Sequence, residues 1–82
     1  MTKSEIIEVV RAFLLERLPG ETAQTLSDDA PLISTGRVDS LMLVQLVELL
    51  EERYQIEVLP HEMDAAHMET LADIAQLVLR KK

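Results

Sequence analysis

The sequence predicts an all-α fold: a small four-helix bundle, three long helices and one short, with a long loop between the first two. Three observations predict it. Apolar residues recur at intervals of three and four in three separate segments. Each segment opens on side chains that cap helices: Thr2, the pair Asp39-Ser40, and Thr70. Finally, 82 residues leave room for one modest core, because a chain of that length buries only roughly 60–65% of the surface its unfolded form exposes. Residues 1–82 are therefore expected to form one domain, with no linker, repeat or low-complexity segment.

The first helix is expected over residues 4–18. Thr2 and Glu5 have capping-box spacing, and Ile6, Val10, Phe13 and Leu14 mark one apolar face. Pro19-Gly20 ends it. Residues 19–38 have no strong period, and a connection that long in a small domain tends to serve function. Leu26, Leu32, Ile33 and Val38 are its expected anchors to the core. The second helix, residues 40–54, carries the strongest signal. At 100° per residue, Leu43, Leu46, Val47, Leu50 and Tyr54 fall in one sector about 100° wide, which is the core face. The opposite face holds Leu41, Val44, Gln45, Glu48, Glu51 and Glu52, so two apolar residues stand where solvent is expected. Residues 55–60 read as brief and extended, and "HEMDAAH" as a short helical turn. Thr70 with Asp73 opens the last helix, built on Leu71, Ile74, Leu77 and Val78, and Arg80, Lys81 and Lys82 suit its C-terminal dipole.

Charge and composition exclude several classes of function. The formal net charge is −7. Eleven acids lie between Asp28 and Asp73, opposed only by Arg37 and Arg53, so that stretch carries −9. Such a field repels nucleic acid and anionic membrane and attracts basic protein surfaces. With no Trp, one Phe and one Tyr, the chain also lacks base-stacking platforms. It has no Cys, which excludes disulfides and thiolate metal sites and fits a cytoplasmic setting. The start, "MTKSEIIEVV", is not a secretory signal, and the apolar run Leu41–Val44 is far too short to span a bilayer.

The segment "GRVDSLMLVQLVELLEERYQIEV" places Ser40 at the mouth of an oily helix. The plain reading of Asp39-Ser40 is an N-cap, whose side-chain oxygens accept orphan backbone N–H bonds. Context adds to it. Ser40 follows a long loop, adjoins Leu41 and Val44, and is surrounded by acids. A nucleophile elbow needs glycines two residues either side of the serine, where Val38 and Met42 stand instead. His61 and His67 show no group that would orient them as bases and are expected in solvent. Their spacing also misses the zinc-helix pattern, because Ala65 occupies the place of the second ligand, so no metal site is expected.

Taken together, these features resemble the acyl carrier protein family, including peptidyl and aminoacyl carriers. The strongest part is "LISTGRVDSLMLVQLVELLEERYQIEV", and "HEMDAAHMETLADIAQLV" is similar to the family's third and fourth helices. The resemblance implies that a separate transferase esterifies Ser40 with 4′-phosphopantetheine from coenzyme A. The arm's thiol would then carry an acyl or aminoacyl group as a thioester. Asp39 would either help orient the transferase or simply cap the helix. The phosphodiester would lie at the positive end of the helix dipole. The family reading makes the chain a free-standing, monomeric carrier with no catalysis of its own. Its expected partners are the transferase, an acyl or aminoacyl ligase and acyl-using enzymes with basic surfaces, gripping Leu41, Val44, Gln45, Glu48, Glu51 and Glu52. Fatty-acid carriers often have acids directly after the serine, whereas Met42, Leu43 and Gln45 stand here and acids begin at Glu48. That departure points away from fatty acid synthesis and toward carriers served by dedicated ligases. Two alternatives stand beside this reading: an unmodified acidic interaction module, and a carrier-like regulatory domain whose serine is never loaded.

Overall fold

The computed structural model describes residues 1–82 as four α-helices with no strand. They are α1 (Lys3–Arg17), α2 (Ser40–Tyr54), α3 (Ala65–Met68) and α4 (Leu71–Lys81), with a single 3₁₀ turn at Pro60–Glu62 before α3. The arrangement is the all-α bundle expected, three long helices and one short.

Local chemistry sets where each helix begins. Thr2 and Glu5 form a reciprocal capping box: Glu5 N–H donates to Thr2 Oγ1 at 3.1 Å and Thr2 N–H donates to Glu5 Oε1 at 2.8 Å. Thr70 Oγ1 accepts from Asp73 N–H at 3.0 Å. Each contact satisfies a donor that the first turn of a helix would otherwise leave unpaired. At its other end α1 stops before Gly20, which takes φ +93°, open to glycine. α2 ends on Gln55, a non-glycine residue held left-handed at φ 55°. There the Lys82 ammonium donates to Tyr54 O at 2.9 Å, joining the end of α4 to the end of α2.

The core is wholly apolar. Ile6, Val10 and Leu14 of α1 are fully buried, as are Leu46 and Leu50 of α2. Met68 and the α4 residues Leu71, Ile74, Leu77 and Val78 complete it. α1 makes its close backbone approach to α4 rather than to α2. This explains one departure from expectation. Ile7 joins the core, whereas Phe13 is only half-buried and its ring lies under the Arg17 guanidinium, 3.8 Å from the centroid. Phe13 sits at the margin of the apolar stripe, on the side turned from α4.

The long connection between α1 and α2 is tied down at several points. Leu26, Leu32 and Val38 are buried anchors as expected, while Ile33 is only partly covered. Leu32 N–H donates to Glu69 O at 2.8 Å, and Ala72 N–H donates to Asp28 O at 3.1 Å. The Arg11 guanidinium pairs with Glu8 and Asp28 and donates through Nε to Leu26 O at 2.9 Å. Arg37 lies 3.4 Å from Glu21.

"HEMDAAH" is not one turn but two pieces. Asp64 breaks it, capping α3 by accepting from His67 N–H at 3.1 Å. The same carboxylate lies 2.7 Å from His67 Nδ1, so His67 is half-covered and oriented, not free in solvent as expected.

Candidate functional site

Asp39 is the N-cap of α2, with its Oδ1 accepting from Met42 N–H at 2.9 Å and its carbonyl from Leu43 N–H at 2.8 Å. Ser40 is the first helical residue and is exposed. Two donors at this helix mouth, the N–H groups of Ser40 and Leu41, have no protein partner. No acid lies in the first turn of α2. The site therefore offers an exposed hydroxyl, two free N–H groups and the positive end of a 15-residue helix. Those features fit a phosphodiester at Ser40, since an anion there meets donors and a favourable dipole. The Asp39 carboxylate is turned to Met42 N–H, where its charge stabilises the helix start.

The loop leading into Ser40 is fixed from the far side of the chain. Glu69 Oε1 accepts from Ile33 N–H at 2.7 Å and from Ser34 N–H at 3.0 Å. Hydrogen bonding by Ser34, first through its side chain and then its backbone, holds the Glu69 carboxyl below its ordinary value of 4.5, with Ile33 and Leu32 adding to the effect. Sequence reasoning missed Glu69, which lies thirty-six positions from Ile33 and has no local pattern to betray it.

The faces of α2 divide as the wheel predicts. Leu43, Leu46, Val47, Leu50 and Tyr54 are buried, while Leu41 is 68% and Val44 44% exposed. Leu41 does not fold back under the preceding loop. Of the six residues expected to meet partners, five are exposed and Glu51 is drawn inward. Leu41 and Val44 stand beside Ser40. Gln45, Glu48 and Glu52 turn toward α1 and line a groove with it. Glu51 is half-buried, and its Oε2 accepts from Val58 N–H at 3.0 Å, so this acid holds the chain that leaves α2. The reason is geometric: the extended segment after Tyr54 doubles back and needs an acceptor there.

No set of three or more His, Cys, Asp or Glu side chains gathers where a metal ion would sit, and no helix is long and apolar enough to cross a membrane. His67 is engaged with Asp64 as part of a helix cap.

A small acidic helical scaffold that holds an exposed serine at the mouth of its second helix has the build of a carrier domain. A family profile described as a phosphopantetheine attachment site matches residues 8–78, nearly the whole chain, and the protein belongs to that family.

Proposed function

We propose that Ser40 is the residue that takes 4′-phosphopantetheine and that the protein serves as an acyl or aminoacyl carrier in the cytoplasm. The observation that carries this reading is the exposed Ser40 hydroxyl at the mouth of α2, with unpartnered N–H groups beside it, inside the residues matched by the attachment-site profile. In the loading step the Ser40 oxygen forms a bond to the pantetheine-side phosphorus of coenzyme A. The pyrophosphate linkage breaks, the adenosine bisphosphate half leaves, and the hydroxyl proton passes to a base of the transferase. When bound, the group supplies a thiol that carries cargo as a thioester.

The chain's own residues do the rest. Asp39 fixes the start of α2 and so the direction of the Ser40 side chain. The N–H groups of Ser40 and Leu41, which have no protein acceptor, would be available to donate to the phosphodiester. Leu41 and Val44 offer an apolar contact beside the serine, and Glu48 and Glu52 favour partners with basic surfaces: a phosphopantetheinyl transferase, an acyl or aminoacyl ligase and the enzymes that use the cargo. The carrier acts as a monomer in this reading.

Incubation with coenzyme A, Mg²⁺ and a broad-specificity transferase should raise the intact mass by one phosphopantetheine. Ser40→Ala should gain none. A wild-type chain that stays unmodified would favour the unloaded interaction module instead.

A further inference from the structure

Beyond the serine end, α1 and α2 flank an open groove of about 910 Å³, of which the carrier reading uses only the rim acids Glu48 and Glu52. Its floor is Val9, Ala12, Phe13 and Leu49. Three of these are half-buried, and the methyl of Ala12, which is exposed, leaves the middle of the floor open. Arg17, stacked on Phe13, covers one face of the ring. Glu8, Glu48 and Glu52 stand along the rim. Glu16, Arg17 and Arg53 also line the groove; Glu8 is paired with Arg11 and Glu16 with Arg17, while Glu48, Glu52 and Arg53 have no ion-pair partner.

We propose that this groove docks an amphipathic helix with basic flanks, supplied by a partner protein, while Ser40 stays free. Length fits a helix. The lining runs from Glu8 to Arg17 on α1 and from Gln45 to Arg53 on α2. At about 1.5 Å per residue each stripe is roughly 13 Å long, or about two and a half helical turns. Backbone chemistry excludes an extended peptide. The N–H and C=O groups of α1 and α2 in this region are bonded within their own helices. A strand laid here would find no backbone partners, whereas a helix brings its own. Charge selects the flanks: four acids against two arginines leave the lining net acidic, and lysines or arginines either side of an apolar stripe would pair with Glu48 and Glu52. A second copy of this chain, with net charge −7, would be repelled. The groove begins at Gln45, more than a turn beyond Ser40, so its occupant leaves the serine accessible.

The test uses the full chain, isotopically labelled, and a designed helical peptide of about 14 residues with a leucine stripe flanked by lysines. A control peptide has the same composition with the stripe scrambled. Saturable amide shifts are expected at Val9, Ala12, Phe13 and Leu49 with the striped peptide, and affinity at least about tenfold weaker for the scrambled one. Ala12→Arg fills the groove, and Glu8 and Glu16, one turn either side, support the new arginine on the helix. This variant should keep its melting temperature and its pantetheine loading but bind the striped peptide about tenfold more weakly. Equal binding by both peptides, equal binding by Ala12→Arg, shifts centred on Leu41 and Val44, or no saturable binding would each overturn the proposal. A dimer in sedimentation that Ala12→Arg disperses would also overturn it, assigning the groove to a second copy. Loading of Ser40 is read separately, so failure of the groove and failure of the carrier reading give different results.

Discussion

Val44 and Leu46 lie two positions apart on α2 and meet opposite surroundings: Val44 is 44% exposed beside the serine end, and Leu46 is fully buried. The same substitution at the two positions should therefore do different things. Leu46→Lys places an ammonium in an apolar core with no partner. The cost is comparable with the whole folding free energy of a small domain, about 5 kcal/mol, and the helical circular dichroism should collapse. Val44→Lys should leave the circular dichroism and melting temperature nearly unchanged. In the proposed carrier reading, burial of Val44 against a partner would contribute roughly 1.5 kcal/mol, and the added positive charge would also oppose a basic partner, so the rate of Ser40 loading should fall by about tenfold or more. If Val44→Lys unfolds the protein while Leu46→Lys is tolerated, the assignment of the two faces is wrong. This division was legible in the sequence, because a wheel needs only the spacing of Leu43, Leu46, Val47 and Leu50. The role of Glu51 was not. On the wheel it is one more outward acid, and only the return of the chain at Val58 makes it an acceptor.

At the level of elements, the three long helices could be read from the sequence because their signals are local. Thr2, Asp39 and Thr70 each cap a donor three positions away, well within any reading window. The break between the 3₁₀ turn and α3 escaped notice because Asp64 looks like one more polar residue until its bond to His67 N–H is seen. The same holds for the loop before Ser40, whose order comes from Glu69 and Arg11, each distant in sequence. The end of α2 allows a direct test. Gln55 is held at φ 55°, a conformation that costs a side-chain-bearing residue about 1 kcal/mol and glycine almost nothing. Glycine loses some of this gain through a freer unfolded chain, and the exposed bond from Gln55 Nε2 to Glu52 O at 2.6 Å is lost as well. Gln55→Gly should still stabilise by about 0.5 kcal/mol, raising the melting temperature by roughly 2–4 °C. A fall in melting temperature would mean that the side-chain bond outweighs the backbone strain.

Across the whole molecule, the acidic stretch from Asp28 to Asp73 is less bare than its −9 suggests, because cations from outside that stretch reach into it. Arg11 pairs with Asp28, and Lys81 meets Glu62 at 2.6 Å. Composition alone could not show this, since both partners come from other helices. Such ties make stability depend on pH. Hydrogen bonding holds Glu5 (to Thr2), Glu62 (to Lys81) and Glu69 (to Ser34) below the ordinary 4.5, and Asp64 (to His67) below 3.8. A carboxyl depressed in the folded state binds fewer protons than in the unfolded chain. Its stabilisation is complete at neutral pH and is lost as pH falls from about 4.5 through the lower folded values. The melting temperature should therefore drop as pH falls below about 4.5, and Glu69→Gln should make that drop shallower. An unchanged profile in Glu69→Gln would mean that its clamp on the loop adds nothing to stability. The central claim, that Ser40 is the loaded residue, has its own direct measurement. Trypsin should release Val38–Arg53, in which Ser40 is the only hydroxyl side chain. After treatment with coenzyme A and a transferase, this peptide should be heavier by one phosphopantetheine and should carry the only thiol in a chain that has no cysteine. The arm on any other peptide, or an unmodified 38–53 peptide from a fully treated sample, would contradict the account.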